Sequence, residues 1–202
     1  MKNNKEKSKS VVKNKRPKSA SSNNVKTLFI NGLKDIYWAE KYLVKSLPKF
    51  LKKISNEKLK ETIEEHLTET EEHANRLEMV FDFCQIKTSS KKCEAMVGLV
   101  EEYKKATELF NRGPLLDAAL IIGIQKIKHY EMAAYGALHV LSDVLGMEDC
   151  SALLKKTLDE EHEVGKKLNE LAGEINQEAF NASSEEKAMK NDLQPTGAYM
   201  SI

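Results

Sequence analysis

His66-Leu-Thr-Glu-Thr-Glu-Glu-His73 lies in the middle of a segment that reads as one long helix. The apolar positions around it, Leu59, Ile63, Leu77, Val80 and Cys84, recur at spacings of three and four and mark one helical face. The gap in that run is filled by His66, Thr70 and His73, which at about 100° per residue lie within about 40° of Leu59 and Leu77. Glu69 stands on the edge of the same face, about 60° from His66. Buried polar groups are costly unless they are paired or bind a metal, so this polar cluster requires partners from elsewhere in the chain.

The composition bounds the class. A chain of 202 residues with 41% apolar and 31% charged residues has room for one domain with a sizeable core. Four prolines and nine glycines leave long periodic runs unbroken, which points to an all-α fold. There is no run of eighteen apolar residues and no secretory h-region, so neither a membrane span nor export is expected. Cys84, Cys93 and Cys150 lack CxxC spacing and read as the reduced thiols of a cytoplasmic protein.

Residues 1–24 carry eight Lys or Arg against the single acid Glu6. That makes +7 in a chain whose net charge is +1, and leaves −6 for the rest. Rich in Ser, Asn and Lys, this segment reads as a disordered basic tail. It is the one part of the chain that offers nucleic acid a phosphate-binding surface. No aromatic residue is interleaved, which favours the simpler reading of a solubilising extension with no partner.

From there the periodicity predicts four long helices, at about 25–54, 57–84, 115–145 and 149–175, and a shorter one at 94–110. Pro48 removes a backbone donor and should kink or end the first. Ser55-Asn56 makes a turn and an N-cap, and Asn111-Arg-Gly-Pro114 and Gly146 are breakers. The bundle is expected over 25–176, with a loose polar tail at 177–202.

Each long helix carries an ionisable residue at the centre of its apolar stripe: Glu40, the His66/His73 pair with Glu69, Glu131, and Glu161. Every one lies near the midpoint of its helix, and midpoints in a bundle share one level whichever way each helix runs. One glutamate on an apolar face is usually a helix-edge residue, and one histidine usually a hydrogen-bonded core residue. Four at matching depth converge. Three buried glutamates cannot all stay ionised without a cation, and imidazole with carboxylate is a ligand set for iron, manganese or zinc. His129 and His139 fall on an outer face and a stripe edge, and His162 is about 100° from Glu161.

Several stretches also match a known pattern in order and spacing: Leu33-Lys-Asp-Ile-Tyr-Trp-Ala-Glu-Lys41, His66-Leu-Thr-Glu-Thr70, Asp117-Ala-Ala-Leu-Ile121, Gln125-Lys-Ile-Lys-His-Tyr-Glu-Met-Ala-Ala-Tyr-Gly136 and Leu158-Asp-Glu-Glu161. Over about residues 27–173 the chain resembles the YciE/YciF-type ferritin-like proteins, a bacterial stress-associated family. The resemblance implies a ferritin-like four-helix bundle, with the short helix in the long connection between helices two and three. It also implies a di-metal site usually assumed to hold iron, and a homodimer. Two positions depart from the family pattern: Lys128 stands where relatives usually have Glu, and Gly165 where they tend to have Asp. His73 replaces a frequent Gln and adds a ligand.

The resulting expectation is a metal site of Glu40, His66, Glu69, His73, Glu131 and Glu161 holding iron or manganese. Tyr37, Tyr130 and Tyr135 are its expected neighbours. Whether it turns over Fe(II) or peroxide, or survives as a salt-bridged relic in a non-enzymatic stress protein, is not decided by the residues.

Overall fold

The computed structural model describes residues 24–192. The basic tail, apart from Asn24, and the last ten residues lie outside them. Five helices make up the described chain: α1 (Val25–Leu51), α2 (Glu57–Phe83), α3 (Glu94–Leu109), α4 (Pro114–Val144) and α5 (Glu148–Asp192). None of them is long and apolar enough to cross a membrane.

The helix starts follow from local chemistry. Asn24 accepts from the Thr27 amide at 2.8 Å and Asn56 from the Leu59 amide at 3.0 Å, each satisfying an orphan donor of the first turn. Cys93 does the same for α3 through its sulfur. Pro114 opens α4 at a position whose amide needs no partner. Gly146, at φ 68°, supplies the left-handed turn into α5. Pro48 does not stop α1, which runs three residues further to Leu51. Pro48 is exposed, so its ring faces solvent rather than a packed neighbour.

The long helices pack in a closed ring, α1 on α2, α2 on α5, α5 on α4 and α4 on α1, around one core. The short α3 belongs to the connection between α2 and α4 and lies against α4. With three neighbours, α4 buries more than one stripe, from Leu116 and Ile121 to Tyr135 and Ser142. Two glycines permit close approach. A Cβ on Gly32 would come within 2.9 Å of Leu138, and one on Gly123 within 2.9 Å of the Tyr103 ring.

One boundary differs from the expectation. The segment 177–192, read as part of a loose tail, continues α5. Ile175 and Ala179 carry the buried stripe onward at a spacing of four. Glu174 and Glu178 reach across to Lys58 and Asn56 at the start of α2. The polar residues in between face solvent, and so the composition hid the helix.

Asp117 locks the α1–α2 turn to α4. Only 2% exposed, its carboxylate accepts from the Ser55 amide at 2.9 Å, the Ser55 hydroxyl at 2.5 Å and the Asn56 amide at 2.9 Å. Asp117→Ala leaves two half-buried backbone donors without their acceptor. It should lower stability by about 3 kcal/mol in urea unfolding; a loss under about 1 kcal/mol would show that water replaces the carboxylate.

Candidate metal centre

Helical phase brings the ionisable residues inward. Glu40 follows Leu33 and Ile36 and precedes Leu43 and Leu47 on the buried face of α1. Glu131 lies between Ile124, Ile127 and Leu138 on α4, and Glu161 between Leu154 and Leu168 on α5. Glu40, Glu131 and Glu161 are all fully buried, and His66, His73 and Lys128 are 1% exposed.

The six expected residues do not form one shell. Glu40, His73 and Glu161 each offer a ligand atom, and these atoms lie within 4.8 Å of one another. Among the described residues it is the one such group of three. Lys128 divides the remainder. Its ammonium lies 2.5 Å from Glu131 Oε2 and 2.5 Å from Glu161 Oε2, and donates to His66 Nδ1 at 3.3 Å. The Glu131 contact is an ion pair without hydrogen-bond alignment. Glu69 stands at the rim, half-exposed, with Oε2 buried and unpartnered.

Each member of the trio is held through one atom and leaves another free. Tyr135 donates to Glu40 Oε1 at 2.6 Å, and Glu40 Oε2 has no partner. Glu160 lies 3.0 Å from His73 Nε2 and, as an acceptor, requires a proton there. His73 Nδ1 is left facing Glu161 Oε1 at 3.1 Å, again without hydrogen-bond alignment. Glu160 is itself clamped by Arg76 at 2.6 and 3.1 Å, and Arg76 also donates to Thr157 at 2.6 Å. A carboxylate that fixes the far nitrogen of a histidine is the arrangement that orients metal-binding imidazoles.

His66 is occupied differently. The Thr70 hydroxyl donates to the His66 carbonyl at 2.7 Å, so its oxygen is left to accept from His66 Nε2 at 3.3 Å. With Nε2 protonated, Nδ1 accepts a hydrogen bond from the Lys128 ammonium. Both nitrogens are thereby used.

The buried groups also shift one another's protonation. Burial raises Glu40 to about 7 against the opposing pull of His73. Burial and the neighbouring Glu161 push Glu131 well above the carboxylate range. Burial would raise Glu161 too, but Lys128 and His73 outweigh it and hold Glu161 low. Burial and Lys128 drive His66 well down, so it is neutral. His73 is disfavoured by burial but raised overall by Glu161 and Glu40.

This donor set fits one cation. Four unpartnered acceptors, Glu40 Oε2, Glu131 Oε1, Glu161 Oε1 and His73 Nδ1, are buried in the same core, and each costs about 1–3 kcal/mol while unpaired. A second cation has no comparable set, because the Lys128 ammonium already engages Glu131, Glu161 and His66. Beside Lys128 a cavity of about 230 Å³ is lined by Met132, His162 and Gly165 among others.

Other expectations are corrected. Tyr37 donates to Glu78 at 2.5 Å, and Tyr130 to Asp35 at 2.8 Å. Of the three tyrosines only Tyr135 is bonded to the cluster. His129 and His162 are exposed, as their phase suggested, and His139 binds Ser151 at 2.8 Å. Arg76, Thr157 and Glu160 were not singled out from the sequence. The signal was present: Arg76 is one turn past His73, and Glu160 is adjacent to Glu161.

The model of the domain of unknown function DUF892 matches residues 24–181. The chain is 40% identical over 163 residues to protein YciF of Escherichia coli (strain K12), covering 78% of this chain and 98% of that protein. It resembles the crystal structure of the E. coli stress protein YciF with a TM-score of 0.74 and 38% identity, over 77% of this chain and 98% of that one. YcfI from Rhodopseudomonas palustris is similar, with a TM-score of 0.72 and 36% identity over 75% of this chain and 96% of its own. A Xanthomonas campestris protein at 18% identity, over 80% of this chain and 99% of its own, shares the fold with a TM-score of 0.66. From the family match over most of the described residues and the identity to a relative covered almost end to end, the chain belongs to the DUF892 family and is a homologue of the stress protein YciF.

Proposed function

We propose that this protein is a ferritin-like bundle that binds one iron or manganese ion through Glu40, His73 and Glu161 and serves in the cytoplasm under oxidative stress. The observation that carries this reading is the set of buried, unpartnered acceptors around those three side chains. A bound iron ion would supply one-electron redox chemistry toward Fe(II) or peroxide. The chain's own residues bind, orient and shield. Tyr135 holds Glu40, Glu160 and Arg76 fix the His73 ring, and the surrounding apolar core excludes water. The free state of all three cysteines agrees with a reducing compartment.

The Lys128 ion pairs favour a second reading. With one ammonium between Glu131 and Glu161, the core is partly compensated with no metal at all, as in a non-enzymatic stress protein. Metal content separates the two. Protein purified without chelator should carry about one ion per chain. His73→Ala should weaken its affinity roughly 10-fold or more, while His66→Ala should leave it within about twofold. Metal-free protein that takes up no iron or manganese on titration would establish the second reading.

Lys128 also sets the stoichiometry. A Cβ on Gly165 would meet the end of the Met132 side chain, Cε at 3.6 Å and Sδ at 3.9 Å, so an aspartate begins without a clash. Lys128→Glu with Gly165→Asp should raise binding from one ion toward two per chain. Two tight ions in the unmodified protein would overturn the one-ion assignment.

A homodimer forms part of the proposal. Val25, Leu28, Val140 and Val144 are exposed along α1 and α4, beside an apolar groove lined by Ile36, Ala134 and Leu138. Sedimentation equilibrium should give twice the chain mass, and Val140→Lys should shift it toward monomer.

A further inference from the structure

Away from the carboxylate cluster, two buried thiols lie against each other. Cys84 is the C-cap of α2, and Cys150 is in the first turn of α5. Their sulfurs are 3.8 Å apart, and the residues are 6% and 2% exposed. We propose that Cys84 and Cys150 are a disulfide-forming pair that closes on exposure to a peroxide and staples α2 to α5.

The geometry carries the assignment. A disulfide needs about 2.05 Å, so each sulfur must move by about 0.9 Å, within reach of a side-chain rotation. Both residues lie at helix ends, where small shifts do not disturb the packed middle. A cavity of about 380 Å³ lined by Phe83, Gly146, Met147, Glu148, Asp149 and Cys150 brings a small oxidant to the Cys150 side. Cys93, by contrast, contacts the Tyr130 hydroxyl at 3.0 Å and caps α3, with no thiol beside it.

The chemistry closes without further reagents. The Cys150 sulfur, its proton lost, attacks the outer oxygen of the peroxide. The O–O bond breaks, and the departing oxygen takes up that proton as an alcohol, or as water from hydrogen peroxide. The resulting sulfenic sulfur is attacked by Cys84, the S–S bond forms, and the S–O bond breaks with loss of water. Two thiols give up two electrons and two protons, and one peroxide is reduced. Burial and the neighbouring Cys84 push the Cys150 thiol up to about 12, so closure is slow.

The consequence lies in which helices are joined. His73 is eleven residues before Cys84, and Glu161 is eleven residues after Cys150, about 16 Å along each helix. The staple would fix the separation of the two helices that bring His73 and Glu160–Glu161 together. The proposal does not depend on metal binding, because the thiols share no partner with the carboxylates.

The test uses the full chain in EDTA, treated overnight with hydrogen peroxide or with diamide, then unfolded, alkylated and digested. The expected product is a peptide pair joined through Cys84 and Cys150, lighter by two hydrogens, with Cys93 alkylated. The oxidised protein should melt roughly 5–10 °C higher and return to its original value with a phosphine reductant. Cys84→Ser and Cys150→Ser should each abolish the link. Three alkylated cysteines after both oxidants would overturn the proposal. So would a link that includes Cys93, a link between chains, or a wild-type Cys150 that ends as a sulfinic or sulfonic acid.

Discussion

Lys128 brings one positive charge into a core that already holds three glutamates from three helices, and the middle of the bundle is arranged around it. Its ammonium touches Glu131 on its own helix, Glu161 on α5 and His66 on α2. Removing one partner of a buried ion pair typically costs about 3–5 kcal/mol, because the other charge is left without solvent. The contacts to Glu161 and His66 therefore tie α5 and α2 to α4 at one depth, while the Glu131 contact lies within α4. The same ammonium holds Glu161 ionised and adds to burial in keeping His66 neutral, while at Glu131 it opposes the burial and the Glu161 charge that push that carboxyl up. One side chain thus biases the charge state of each of its neighbours.

A cation and an ammonium are not equivalent occupants of such a place. Lysine donates protons from one point and takes no lone pair while charged, so it cannot draw several carboxylate oxygens into one coordination shell. Its presence leaves Glu40, His73 and Glu161 with unshared lone pairs pointing at one another. That residual demand is what a divalent ion would meet. The outer groups agree with a site held ready: Tyr135 on Glu40, and the Thr157–Arg76–Glu160 chain behind His73, use the far atoms and spare the near ones.

The carboxylate–histidine cluster and the thiol pair share a mechanical frame. Both span α2 and α5, about three turns apart, and α5 also packs along α4, which carries Lys128 and Glu131. The long α5 is the common wall, extended past Ile175 by contacts to the start of α2.

Periodicity alone determined much of this. The all-helical class, the five helices and the inward phase of Glu40, His66, His73, Glu131 and Glu161 all follow from spacings of three and four, because an α-helix repeats every 3.6 residues whatever it packs against. That Lys128 flanks Glu131 was equally legible, one turn away on the same helix. The extent of α5 was not, since polar residues beyond Glu178 carry no apolar signal while Ala179 still packs. Nor was the division of the cluster. Phase gives direction to within tens of degrees, but a ligand shell is decided by distances of under 1 Å between side chains on different helices. Only the tertiary structure places His73 with Glu40 and Glu161, assigns His66 and Glu131 to Lys128, and turns Tyr37 and Tyr130 away toward Glu78 and Asp35. The nearness of Cys84 to Cys150, sixty-six residues apart in the chain, has the same origin: it depends on how α2 and α5 cross.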